Sequence, residues 1–135
     1  MNIAVIDGQG GKIGQMIVNA IKKEGISCSI RAIGTNSTAT ASMMKAGADE
    51  GATGENPVIV ACRWADVIIG PIGLLVADGL LGEITPAMAV AVGQSPATKL
   101  LLPLNLCRNI VVGTQAMPVS KLIEETVSTL KTLIL

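Results

Sequence analysis

A glycine-rich turn between an apolar strand and an amphipathic helix constrains this chain more than any other feature. The segment Met-Asn-Ile-Ala-Val-Ile leads directly into Asp7-Gly8-Gln9-Gly10-Gly11-Lys12-Ile13-Gly14. Gly8, Gly11 and Gly14 give GxxGxxG spacing, whereas the commoner GxGxxG is broken at Ile13. In both forms, glycine permits a tight turn and lets a phosphate approach the backbone and the helix pack on the sheet. Free amides of the first helical turn then face an anion. The turn predicts phosphate binding, with a ligand-free strand-to-helix turn as the alternative.

Strand-like and helix-like segments alternate after this turn. Apolar or alternating runs predict strands over 2–6, 26–33, 49–53, 66–70, 99–104 and 109–113. Helical spacing, caps and glycine stops predict helices from the glycine turn to Glu24 and over 38–45, 57–65, 74–81, 86–94 and from about 118 or 120 onward. The predicted N-caps are Asn36 or Ser37, Asn56 followed by Pro57 at the first helical position, and Thr85.

This alternation is typical of a parallel sheet with helices on both faces. Because crossovers between parallel strands are right-handed, it favours a single three-layer α/β/α Rossmann-like domain. The sheet is expected to be mostly parallel, with about five or six strands. At 135 residues the chain is most simply one domain, residues 1–135.

Composition excludes several classes of function. The chain has no histidine, which excludes His-based triads and His metal sites, and Cys28, Cys62 and Cys107 are too far apart for a metal motif. Zero net charge and a single aromatic residue, Trp64, argue against a nucleic-acid partner. No apolar run approaches a membrane span, there is no signal peptide, and free thiols suit a reducing compartment, so we expect a cytoplasmic protein.

The apolar surface predicts self-association. Only 15% of the residues are charged, against about 25% in an average chain, while half are apolar. Such a surface has few charges to cover it, which favours a homo-oligomer.

Ligands of Rossmann-like sheets bind beyond the carboxyl ends of the strands. Three polar or glycine-rich loops fall there, and 51–56 is a fourth loop that could lie nearby. Each loop alone could be an ordinary turn or cap, but their convergence predicts a site. The candidate ligand-binding residues are Asp7, Gly8, Gln9, Gly10, Gly11, Lys12, Ile13, Gly14, Gly34, Thr35, Asn36, Ser37, Gly70, Pro71, Ile72 and Gly73.

The loop after the second strand bears on the cofactor. NAD-binding folds usually place an acid there for the ribose 2′-hydroxyl. Here the residues are Gly34-Thr35-Asn36-Ser37, with no acid and no close arginine for a 2′-phosphate. The cofactor stays unknown. NAD(P) is possible, but the loop favours a mononucleotide or another small phosphorylated ligand.

Four carboxylates are candidate acid or base groups: Asp7, Glu55, Asp78 and Glu83. Asp7 could bind magnesium or a ribose hydroxyl, or it could bond backbone amides of the turn. Glu55 and Glu83 each precede a predicted cap, where an acid is favoured without catalysis. Lys12 is expected to be solvated, and the P-loop pattern GxxxxGK[ST] is absent.

Several segments together resemble an uncharacterised family of short bacterial proteins, a domain of unknown function. They are IAVIDGQGGKIG, GTNSTATASMMKAGADEGATGEN, ADVIIGPIG and GEITPAMAVAVGQS. The resemblance implies a small cytosolic Rossmann-like protein and carries no assigned activity or catalytic residue. The opening segment also resembles the nucleotide-binding turn of NAD(P)-dependent reductases, matched at Gly8, Gly11 and Gly14. The missing acid after the second strand departs from that pattern, and we see no second domain to supply a substrate site.

Three hypotheses follow. The first is a nucleotide- or phosphometabolite-binding protein with phosphate at the Gly8–Gly14 turn. The second is an oligomeric enzyme, NAD(P)-linked or acid–base, with its site at the carboxyl edge of the sheet. The third is a regulatory or structural subunit in which the glycine turn has no ligand.

Overall fold

Five parallel strands form the central sheet in the computed structural model, which describes residues 1–134. They are β1 (Asn2–Asp7), β2 (Ser29–Gly34), β3 (Glu50–Thr53), β4 (Val67–Pro71) and β5 (Thr98–Leu102). The order is β3-β2-β1-β4-β5, and every neighbouring pair is parallel.

Helices cover both faces of this sheet. They are α1 (Lys12–Lys23), α2 (Ser37–Lys45), α3 (Glu55–Trp64), α4 (Pro86–Gln94) and α5 (Val119–Ile134), with a single 3₁₀ turn at Ile72–Leu75. Side chains of α1, α2 and α5 share one core with the sheet, and those of α3 and α4 share the other. The α/β Rossmann-like class is thus confirmed. None of the helices in residues 1–134 combines the length and apolar character needed to cross a membrane.

The central strands β1 and β4 contain continuous apolar runs, residues 3–6 and 67–69, because both of their faces are covered. In β1, Ile3 and Val5 pack under α1 and α5, whereas Ala4 and Ile6 face α3 and α4. The amphipathic α1 buries Ile17, Val18 and Ile21 on the first of these faces. The alternation of side chains along a strand therefore divides one continuous apolar run between two cores.

Strand order reverses between β1 and β4. From β1 the chain moves outward through β2 to β3, and it then returns to β4 on the other side of β1. Such a reversal leaves a crevice outside the carboxyl ends of the two central strands, which is where open α/β sheets bind ligands. The glycine turn follows β1, and residues 70–73 end β4, so both border this crevice.

Two of the predicted caps are confirmed and one is wrong. Asn36 caps α2, its side chain accepting from the amide of Ala39, and Thr85 caps α4. Asn56 does not cap α3, because the helix begins two residues before Pro57, with Gly54 as its N-cap. Gly54 has φ of 107°, a conformation open to glycine, and its amide donates to Gly34. The chain therefore turns at Gly54.

Three predicted elements differ from the structure by three residues or more. The second strand begins at Ser29, not at 26. The predicted helix over 74–81 is only the end of the 3₁₀ turn, followed by an irregular loop. Residues 109–113 form no strand: they lie on the surface, with Ile110 and Val112 88% and 93% exposed. A β-prone sequence without a neighbouring strand to pair with has no ladder to join.

Candidate functional site

Asp7 ties the glycine turn to the helix that follows it. It ends β1, and its side chain is buried. One carboxylate oxygen, Oδ1, accepts from the amide of Gly8 at 2.8 Å, and Oδ2 accepts from the amide of Gly14 at 2.7 Å. Both oxygens are therefore engaged by backbone amides, the turn-holding role that Asp commonly has. The carboxylate also places negative charge at the positive end of α1.

Burial raises the pKa of Asp7 above its ordinary value. Hydrogen bonds from the amides of Gly14 and Gly8 act in the opposite direction, and the nearby carboxylate of Glu83 raises the pKa further. Two acids thus share the region around the glycine turn.

Close packing accounts for each glycine of the GxxGxxG pattern. Gly11 has φ of 72°, and a Cβ added there would lie 2.6 Å from the Cα of Ala39 in α2. A Cβ on Gly14 would collide with the side chain of Met43, and one on Gly8 would lie 2.6 Å from Thr35 Oγ1. Glycine is needed for α1, α2 and the turn to approach one another. By contrast, Gly10 is exposed, and a Cβ there meets nothing within 4 Å.

Glu83 reaches the same turn from a distant part of the chain. Its Oε1 accepts from the amide of Gln9 at 2.9 Å, from Thr35 Oγ1 at 2.6 Å and from Asn36 Nδ2 at 2.7 Å. Partial burial opposes ionisation of this carboxyl, but the hydrogen bonds from Thr35, Gln9 and Asn36 outweigh it and lower the pKa of Glu83. At neutral pH the carboxylate is ionised.

A compact loop, residues 76–84, carries Glu83 over the turn, and we call it the covering loop. Its backbone is closed by internal hydrogen bonds, including Asp78 N to Ile84 O at 2.7 Å. The side chains of Leu80 and Ile84 are buried, whereas Leu81 is 96% exposed. Asp78, Leu80 and Leu81 have φ of 62°, 54° and 56°. Such values are outliers for a bulky residue such as leucine.

The other two predicted loops border the same edge. In the loop after β2, Asn36 Nδ2 donates to Gln9 O at 2.9 Å as well as to Glu83, while Ser37 is the exposed first residue of α2. The segment Gly70–Gly73 is packed tightly: a Cβ on Gly73 would lie 2.5 Å from Asn105 O and 2.8 Å from Leu80 Cδ1. The structure therefore brings all three loops together, with the covering loop among them.

The other candidate polar residues lie apart from the contacts of Glu83. Glu55, in the first turn of α3, accepts from Thr85 Oγ1 at 2.6 Å and so joins the starts of α3 and α4. Asp78 and Lys12 are exposed. Trp64 lies at the end of α3, under the guanidinium of Arg31, at 4.0 Å. Within residues 1–134, no group of three or more Cys, Asp or Glu side chains is arranged to hold a metal ion.

The contact of Glu83 with the glycine turn is the feature that sequence reasoning missed. In the sequence, Glu83 is recognisable only as an acid that precedes a helix cap. Its partners Gln9 and Thr35 are 74 and 48 positions away. Three glycines and two acids between β4 and Thr85 indicate a loop, but nothing in them indicates where that loop packs.

Together the fold and site define a small parallel α/β protein of Rossmann-like architecture, with a cluster of hydrogen-bonded polar groups beside its strand-order reversal. Residues 2–135 match the model of a family described as "Domain of unknown function (DUF3842)", and the chain belongs to that family.

One solved structure similar to this chain is a dodecameric FMN-dependent UbiX-like decarboxylase from Escherichia coli O157:H7. The sequences are 18% identical, the match covers 98% of this chain and 76% of the other, and the TM-score is 0.47. No curated protein matches.

Proposed function

We propose that this protein binds a nucleotide or another small phosphorylated metabolite in the crevice between the carboxyl ends of β1 and β4. The observation that carries the proposal is the reversal of strand order at this point, with the glycine turn directly beside it. Ligands of open parallel sheets bind at such a switch point, where loops from the two halves of the sheet diverge.

Donors that suit a phosphate are present on the turn. In the part of the chain that the structure describes, the amides of Gly10 and Lys12 have no hydrogen-bond acceptor. Both precede or begin the first turn of α1, whose positive end favours an anion. The exposed ammonium of Lys12 adds a positive charge beside them. We expect phosphate oxygens to lie here, on the solvent side of the turn, because Asp7 already occupies its inner side.

The loop after β2 supports a mononucleotide or a simple phosphometabolite over a dinucleotide. It offers a hydroxyl and an amide, from Thr35 and Asn36, but no acid of its own for a ribose. These groups can donate to a hydroxyl or to a second phosphate. Because NAD and NADP also carry hydroxyl and phosphate groups, both are included in the binding test.

The proposal is tested by isothermal titration calorimetry of the purified protein with AMP, ATP, FMN, NAD and NADP. Gly10→Asp is the informative variant: its side chain has open space, so the fold is kept, and a carboxylate is placed beside the phosphate donors. We expect binding to weaken about tenfold or more, equivalent to ~1.4 kcal/mol. Gly10→Ala is the matched control and should bind as the wild type does.

Two results would contradict the proposal. One is the absence of binding by every compound in the panel at millimolar concentration. The other is equal affinity of the Gly10→Asp and Gly10→Ala variants, which would place the ligand elsewhere.

A further inference from the structure

We propose that the covering loop, residues 76–84, is a lid that Glu83 holds shut by taking the place of an anionic group of the ligand. The inference rests on the proposed function, because it concerns how that same crevice is opened and closed. In this arrangement the protein supplies its own carboxylate to the polar donors of the site, and a ligand must displace it.

The donor set around Glu83 is the first argument. A backbone amide, a hydroxyl and a side-chain amide, from Gln9, Thr35 and Asn36, all converge on one oxygen within 2.9 Å. Convergent donors of this kind bind carboxylate and phosphate oxygens strongly, because the acceptor is charged. Two of the three donors come from the loop after β2 and one from the glycine turn, the two loops that border the proposed phosphate position.

The second argument is steric. A Cβ added to Gly8 would lie 2.9 Å from Leu80 Cδ2 and 3.1 Å from Glu83 Oε1. The space directly above Gly8, between the proposed phosphate position and Thr35, is therefore filled by two side chains of the covering loop. A ligand that lies across the turn and reaches Thr35 requires both to move.

The third argument is the conformation of the covering loop. Asp78, Leu80 and Leu81 all have left-handed backbones, and Leu81 presents its whole side chain to solvent. Residues held in such conformations persist only when the surrounding contacts impose them. Here the contacts are the burial of Leu80 and Ile84, the internal hydrogen bonds of the loop and the hydrogen bonds of Glu83. Loss of the Glu83 bonds to a competing anion therefore removes the hydrogen bonds that hold Glu83 to the glycine turn and to the loop after β2.

The experiment compares wild-type protein with Glu83→Ala and Glu83→Gln, using ATP and pyrophosphate as probes in calorimetric titrations. A closed state that must open first weakens the apparent affinity by the fraction that is open, so Glu83→Ala should bind both probes about tenfold tighter or more. Glu83→Gln keeps an acceptor oxygen and the side-chain length but loses the charge, so we expect an intermediate gain. Glu124→Ala, an exposed acid on α5, is the control and should bind as wild type does.

Hydrogen exchange of the ligand-free protein supplies a second readout. The amide of Gln9 should be protected in the wild type and exchange faster in Glu83→Ala, while amides of β1 keep their protection. Equal exchange at Gln9 in the two proteins would overturn the lid.

The binding outcomes separate the two proposals. Tighter binding by Glu83→Ala supports the lid. Wild-type binding with equal or weaker binding by Glu83→Ala overturns the lid and leaves the proposed function standing. Absence of ATP and pyrophosphate binding in the wild type and both Glu83 variants overturns the lid, and absence of binding by the whole nucleotide panel overturns the proposed function as well.

Discussion

Asp7 gives the glycine turn, from inside the protein, a negative charge of the kind that a bound anion would supply. Its carboxylate satisfies the amides of Gly8 and Gly14, and it is buried while doing so. A turn of this kind is stable without a ligand, so its form alone does not require one. The groups of the turn that are available to a ligand are the amides of Gly10 and Lys12, on its outer side.

Asp7→Asn tests this role at the scale of one residue. The amide side chain keeps one acceptor oxygen and turns an NH₂ group toward the other backbone donor, which leaves a buried N–H without a partner. We expect the free energy of unfolding to fall by about 1–3 kcal/mol, as for other orphaned buried donors. Urea unfolding followed by circular dichroism measures it. Asp78→Asn, the same change at an exposed position, should be neutral.

The pH dependence of stability gives the same substitution a second readout. Because the folded pKa of Asp7 is raised above 3.8, the stability linked to protonation of Asp7 is complete below pH 3.8 and is lost as the pH rises through the folded pKa, while the hydrogen bonds to Gly8 and Gly14 remain. The Asp7→Asn variant should lack this decline, whereas Asp78→Asn should retain it. Unfolding curves for Asp7→Asn and Asp78→Asn that coincide at every pH would show that the Asp7 carboxylate does not hold the turn.

Sequence distance separates what could be predicted about these two acids from what could not. Asp7 accepts hydrogen bonds from residues one and seven positions later in the same strand–turn–helix unit. The common roles of Asp in turns therefore made backbone-amide bonding one of the roles predicted for it. Glu83 bonds Gln9 across 74 positions. Its position depends on how the covering loop packs, and local residue preferences carry no information on that.

At the scale of secondary structure, two glycines with similar positive φ values have different structural roles. Gly11 and Gly25 have φ of 72° and 66°. Gly25 follows the end of α1, and a Cβ added there would meet nothing within 4 Å. Gly11, by contrast, lies against the backbone of α2 at Ala39. The first position needs only a left-handed residue, and the second needs the absence of a side chain as well.

Substitution of each glycine by alanine separates these two requirements. Gly25→Ala should cost about 1 kcal/mol, the usual penalty for a left-handed alanine. Gly11→Ala pays the same penalty and also forces α1 away from α2, since backbone atoms at 2.6 Å cannot rotate aside, so we expect about 3 kcal/mol or more. Thermal and urea unfolding of the two variants measure the difference. Equal losses would mean that the contact between the turn and α2 relaxes freely.

The same contrast between local and distant causes explains which helices and strands could be predicted from the sequence. Strands β1 and β4 and helices α1, α2 and α4 follow from apolar periodicity and from caps within a few residues, and they were predicted within a few positions. The predicted helix over 74–81 was wrong. Leu74 belongs to the 3₁₀ turn and Leu80 to the irregular covering loop, and both side chains are buried in the core on the side of α3 and α4. The predicted strand over 109–113 was wrong because a β-prone run still needs a partner.

At the scale of the whole molecule, the exposed apolar side chains favour self-association. Ile110 and Val112 protrude from a segment without regular structure after β5, which is the edge strand of the sheet. With only 15% charged residues, the surface has few groups that keep copies of the chain apart. Exposed β-branched side chains on a surface with few charges are a ready contact between identical chains. We therefore propose a homo-oligomer whose contact includes residues 109–113.

The double substitution Ile110→Lys with Val112→Lys tests that contact. Two charges at the centre of an apolar interface must be desolvated without partners, so we expect the assembly to dissociate to the 13.8 kDa chain. Light scattering after size-exclusion chromatography at micromolar concentration measures the mass. Asn19→Lys with Thr132→Lys, both exposed polar positions on helices, adds the same charge and should leave the wild-type mass unchanged. A monomeric wild type would contradict the oligomer, whereas an unchanged assembly in the Ile110 and Val112 variant would place its interface on another surface.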